Sequence, residues 1–182
     1  MDGRIDITAP KVIPDVGRLV DAVYERAPLG GSYIHGDQHW RAVAEVGLRL
    51  LEDNPRANPH VVLLFALLHD AMRVNESDDP GHGERAAELA DELHGRYFRL
   101  DPIRFTQLTD ACAGHADIRF SDDPTIGVCF DADRLNLWRV GITPEPNYLS
   151  SDSALDDGLQ HWSKSVHGRA RDWLDLHQAY NL

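Results

Sequence analysis

Residues 59–70 read Pro-His-Val-Val-Leu-Leu-Phe-Ala-Leu-Leu-His-Asp, and this stretch decides the fold. Val61 to Leu68 are apolar without interruption, so a helix here has no face suited to solvent and belongs at the centre of a bundle. Eight residues fall well short of the roughly 20 that cross a bilayer. The helix is expected to run from about Pro59 to Arg73, and it carries two hydrophilic side chains near its end, His69 and Asp70. An unpaired carboxylate is costly to remove from water, so Asp70 needs a partner, and a metal ion would supply one. Neighbouring helical positions point about 100° apart, so both side chains reach one ion only if it lies in the angle between them. Other elements must then close the coordination shell.

Outward from this segment the 3.6-residue period dominates, and no run alternates apolar with polar residues. The fold class is all-α, with about seven helices in one domain spanning 1–182. A first helix is expected over about Pro14–Arg26. A second runs from the N-cap Asp37 to about Glu52, with His39, Val43, Val46 and Leu50 inward. Asn75–Gly83 reads as a polar loop, and Glu84 to about Phe98 as helix. The next helix follows Asp101-Pro102 and brings Leu108, Ala111, Cys112 and His115 to one side. Loop is expected at Arg119–Pro124, helix at about Phe130–Val140, an irregular connection at Gly141–Asp157, and one amphipathic helix at about 159–180.

Two of these helices offer further ligands. His39 lies on a buried face, an odd place for an imidazole with nothing to bind. Asp133, in Phe-Asp-Ala-Asp-Arg-Leu-Asn-Leu-Trp (130–138), has Leu137 and Val140 four and seven residues on. Asp131 competes with it, since Leu135 and Trp138 stand in the same relation. Imidazoles and carboxylates form a nitrogen and oxygen donor set suited to divalent manganese, iron, cobalt, nickel or zinc.

The order His39, His69-Asp70, Asp133 resembles the H…HD…D signature of the HD superfamily of metal-dependent phosphohydrolases, over about residues 30–140. That resemblance implies a helical HD-type bundle and a divalent metal ion held by His39, His69, Asp70 and Asp133. Within it the carboxylate directly before Arg-Leu is the ligand, which favours Asp133 and leaves Asp131 as a general base beside the site or a helix N-cap. Some members hold two metals bridged by the HD aspartate through additional histidines. Here the candidates are His82 and His115, against a solvated loop histidine and a helix C-cap. The interval from Asp70 to His82 is short for the two-metal pattern.

The implied activity is hydrolysis of a nucleotide or other small phosphate ester. Asp70 or Asp131 would accept a proton, and Arg73 and Arg134, then Arg119 and Arg139, would meet the phosphate charge. Sixteen arginines against two lysines weaken the signal of any one of them. Two alternatives stand beside hydrolysis: a di-iron oxygenase, as in related HD proteins, and a non-catalytic sensing or scaffold domain tied together by its metal. His35, His60, His94, His161, His167 and His177 read as residues in turns, near helix ends or on the final helix, without a role at the site.

Composition narrows the partners. A net charge of −12 repels polyanions, so duplex nucleic acid and anionic membranes are not expected, whereas a small phosphorylated substrate and a homodimer are compatible with it. Cys112 and Cys129 lack CxxC spacing and suggest reduced, half-buried core residues. Without a basic and then apolar leader, the chain is expected to be cytoplasmic.

Overall fold

The computed structural model describes residues 11–182. Among the described residues eight α-helices are formed: α1 (Val16–Tyr24), α2 (Asp37–Leu51), α3 (Pro59–Leu68), α4 (His82–Leu93), α5 (Pro102–Gly114), α6 (Pro124–Arg134), α7 (Asp157–Ser163) and α8 (Trp173–Ala179). Three 3-10 turns, Leu137–Val140, Pro146–Tyr148 and Asp152–Leu155, fill the connection between α6 and α7. Among the described residues no helix is long and apolar enough to cross a membrane.

Helix α3 is the axis. Asn58 caps its start by accepting from the Val61 amide, Pro59 takes the first position, and every side chain from Val61 to Leu68 is buried. Around it pack α2, α5 and α6, and α4 lies against α5. These elements bear all the candidate ligands, so burying the most apolar segment also draws the polar ones together. The helix stops at Leu68 rather than Arg73, and His69 is its C-cap. His69 and Asp70 therefore leave the helix end, not its side.

Other boundaries moved for identifiable reasons. Helix α6 begins six residues before Phe130, because Asp123 caps it through the Thr125 and Ile126 amides and Pro124 occupies the first turn. It ends at Arg134, with the 3-10 turn 137–140 in place of its last turn. Helix α4 starts at His82, after Gly81 in the left-handed region (φ 81°), and stops at Leu93 rather than Phe98. The single C-terminal helix expected over 159–180 is two helices. Gly168 (φ 78°) interrupts it, and Asp172 caps the second by accepting from the Asp175 amide. That second piece docks on α2 through Trp173 Nε1 to Asp37 (2.8 Å), the Arg171–Glu45 pair (2.6 Å) and the Tyr180 hydroxyl to the Ala44 carbonyl (2.6 Å).

One close approach matters for the site. A Cβ on Gly83 would lie 2.6 Å from the Cys112 carbonyl oxygen and 2.8 Å from that of Ala113, so α4 and α5 touch backbone to backbone there. Neither oxygen can give way as a side chain would. Gly83→Ala is expected to lower stability by about 1–3 kcal/mol, as overpacking does, and to part His82 from His115. Thermal unfolding together with metal content would check both effects.

Candidate metal centre

Five elements deliver the six ligand candidates. His39 comes from the first turn of α2, His69 and Asp70 from the end of α3, His82 from the start of α4, His115 from the end of α5, and Asp133 from the last turn of α6. His39 and His69 are fully buried, and Asp70, His82 and His115 are nearly so. They meet in two groups that share Asp70.

In the first group His39 Nε2 lies 3.1 Å from His69 Nε2 and 3.2 Å from Asp133 Oδ1, while His69 Nε2 is 3.6 Å from the same oxygen. Asp70 Oδ2 completes it, 3.6 Å from His39 Nε2 and 3.8 Å from His69 Nε2. In the second, His82 Nε2 and His115 Nε2 are 3.0 Å apart, with Asp70 Oδ1 at 3.3 and 3.6 Å. The two oxygens of one carboxylate thus address two pairs of imidazoles.

The tautomers show what such an arrangement lacks. His69 Nδ1 points at the carbonyls of Phe65 and Ala66 (3.2 Å each), His82 Nδ1 at that of Asp79 (2.7 Å), and His115 Nδ1 at that of Cys112 (2.7 Å). A neutral ring donates its one proton there and leaves a lone pair on Nε2, so without a metal these rings bond Asp70 or Asp133 through Nε2 only when a second proton is present. Two lone pairs facing each other at 3.0 Å repel unless a cation or a proton lies between them. Separations of 3.0–3.8 Å also suit donors that share one ion at about 2.0–2.2 Å. His39, His69 and Asp133, and separately His69, Asp70 and His115, form groups able to hold a metal ion.

Protonation follows the same pull. Burial alone would raise the Asp70 carboxyl, but the His69 charge and hydrogen bonds from His115, His35 and His82 hold it well below the usual carboxylate range. Asp133 behaves likewise under hydrogen bonds from His39 and His69. Burial, then the Arg139 charge, pushes His39 down to about 3, so it stays neutral with its lone pair available. Burial would also lower His115, yet its hydrogen bond to Asp70 and the charges of Asp133 and Asp70 raise it.

His35 joins this group, although the sequence suggested no role for it. Its Nδ1 is 3.1 Å from Asp70 Oδ2 and its Nε2 is 3.9 Å from Glu76. The available signal was its position four residues before His39, obscured by the turn that precedes α2. His82, one reading of which was a solvated loop histidine, is instead a buried first-turn residue of α4.

Two expectations need correction. Asp131 is not a base at the centre: it accepts from the Ser150 amide (2.6 Å), the Ser151 amide (2.9 Å) and the Ser151 hydroxyl (2.7 Å), anchoring the loop after the 3-10 turn 146–148. Nor is it a helix N-cap, because α6 starts seven residues earlier, at Pro124. Arg134 lines the cavity but has no fork free for phosphate. Its Nη1 donates to the Arg119 and Tyr148 carbonyls and its Nη2 to those of His115 and Ile118. Arg73 binds Asp70 Oδ1 through Nε (3.0 Å) and the Ser77 carbonyl through Nη1, leaving Nη2. Arg139 ties Nε to the Ile34 carbonyl and Nη1 to that of Asn136. Arg119 is held at the rim by the Asn147 carbonyl and the Tyr148 ring.

Above the two groups opens a cavity of about 550 Å³, with His35, Asp70, His82, His115 and Asp133 at its polar end. Leu137, Val140, Ile142 and Tyr148 form an apolar wall.

A family model described as the HD domain matches residues 36–136, more than half of the 182-residue chain. Comparison with curated proteins and with solved structures gives no match.

Protein purified without chelator is expected to carry about two divalent ions per chain, and His82→Ala about one. Elemental analysis of both, with His69→Ala as the variant that loses more, would check this. Asp131→Asn is expected to cost about 1–3 kcal/mol in chemical denaturation while leaving metal content unchanged.

Proposed function

The chain belongs to the HD domain family, and on that premise we propose that it is a metal-dependent phosphohydrolase acting on a nucleotide or other small phosphate ester. The observation that carries this reading is the Asp70 carboxylate, whose two oxygens face two imidazole pairs at the floor of an open cavity. His39, His69, Asp70 and Asp133 would hold one ion, and Asp70, His82 and His115 a second. A divalent cation held there supplies Lewis acidity toward a phosphoryl oxygen and acidifies water.

The protein's own groups would do the rest. His35 is the best-placed proton carrier, because Nδ1 is steered by Asp70 and Nε2 is turned toward Glu76 at the cavity wall. Arg73 is oriented by Asp70 and presents Nη2 toward an anionic substrate. The partly exposed wall of Leu137, Val140, Ile142 and Tyr148 would offer apolar contact to part of a leaving group.

A second reading, oxidation by a di-iron centre, draws support from the count of donors. Four imidazoles and two carboxylates suit iron, and the arginines around the cavity spend most of their donors on the protein itself.

Phosphate release from p-nitrophenyl phosphate and from a nucleotide panel, with manganese, iron or zinc added, tests the choice. Activity is expected to vanish in His69→Ala and to fall about 100-fold in kcat for His35→Asn with metal content retained. Oxygen uptake by the iron form without phosphate release would instead establish the oxidative reading.

A further inference from the structure

The metal cavity is charged unevenly along its depth. Arg73 and Arg139 line it beside the polar cluster: Arg73 Nε lies 3.0 Å from Asp70 Oδ1, and Arg139 Nη2 lies 3.5 Å from His35 Nδ1. Arg134 lines it too, but spends its bonds on main-chain carbonyls. Lys11 and Lys164, the only lysines of the chain, are absent from the lining. Positive charge is thus confined to the floor, where one phosphoryl group would rest.

Toward solvent the sign reverses. Glu76 Oε2 is 3.9 Å from His35 Nε2 with its side chain 46 % exposed, and Glu145 is an exposed lining residue of the same cavity. Neither carboxylate pairs with an arginine or lysine among the described residues. A second or third phosphoryl group would therefore extend into a region that carries carboxylates and no unspent cation, in a chain whose net charge is −12.

The rest of the lining is largely hydrocarbon. Val140, Ile142 and Tyr148 are 39, 52 and 44 % exposed, and Leu137 and Pro144 line the same space. Large apolar side chains left open together in a cavity mark a ligand with apolar surface to bury. At about 550 Å³ the cavity falls within the range of roughly 300–1,000 Å³ that small-molecule sites occupy, so a ring fits beside the phosphoryl group.

We propose that the substrate class of this site is the monoester of a single phosphoryl group with an uncharged, apolar alcohol or phenol, and that Glu76 and Glu145 select against di- and triphosphates. This rests on the hydrolase reading and narrows it. Water adds to phosphorus as the bond from phosphorus to the ester oxygen breaks. One proton of that water ends on the departing oxygen and the other stays with phosphate, so the products are the free alcohol and monohydrogen phosphate.

The test uses the metal-loaded full chain and a series from phenyl phosphate to 4-butylphenyl phosphate, along which leaving-group basicity hardly changes. A fully buried methylene is worth about fourfold, so over a partly exposed wall kcat/KM is expected to rise about 2–4-fold per methylene. Ile142→Ser is expected to flatten that slope. Across adenosine mono-, di- and triphosphate, kcat/KM is expected to fall at least about 10-fold. Glu76→Gln combined with Glu145→Gln is expected to raise the triphosphate-to-monophosphate ratio about 10-fold. A merely loosened fold would lower both members of each ratio and leave the ratio alone, which would count against the two carboxylates. A flat or falling aryl series, hydrolysis of the nucleotides alone, or preference for the triphosphate would overturn the proposal and leave the hydrolase reading standing. No phosphate release from any ester, p-nitrophenyl phosphate included, would remove that reading and this proposal with it.

Discussion

One carboxylate surrounded by imidazoles sets the terms for this molecule. Asp70 is almost fully buried and touches His35, His39, His69, His82, His115 and Arg73 within 4 Å. Three of those rings spend their Nδ1 protons on backbone carbonyls and turn lone pairs inward. Such a cluster is electrostatically incomplete by itself, and positive charge must enter it as protons or as metal ions. The fold serves that need from several directions at once: α3 ends there, α4 starts there, and α2, α5 and α6 each pass one residue through it.

Much of this was legible in the sequence because burial and periodicity speak directly. An uninterrupted apolar run has one stable location, and a His-Asp pair at its end asks for compensation. His39 and Asp133 were legible as polar residues on otherwise apolar faces. The all-helical class and the HD resemblance follow from these few positions, and the match over residues 36–136 agrees with them.

What escaped the sequence depended on exact local geometry. Asp131 and Asp133 share the same apolar spacing, and only the loop at 150–151 shows which of them is spent on amides. His82 lies few residues after Asp70, yet Asp79 bends the chain sharply there, bonding the Val74 amide and the Arg85 guanidinium and aiming its carbonyl at the His82 ring. A short interval can return to the site when a buried carboxylate ties the loop. The C-terminal periodicity ran through Gly168 without a visible break, because a helical pattern does not reveal where a left-handed residue redirects the chain.

Arg134 has a wider implication. By gripping main-chain carbonyls at 115, 118, 119 and 148, it fixes the rim of the cavity through atoms that every residue possesses. Side chains along those rim segments are then at liberty to change without loosening the scaffold. The exposed side chains of Ile118, Phe120 and Tyr148 can vary around that grip, while the planar five-donor fork that provides it has no substitute in a lysine.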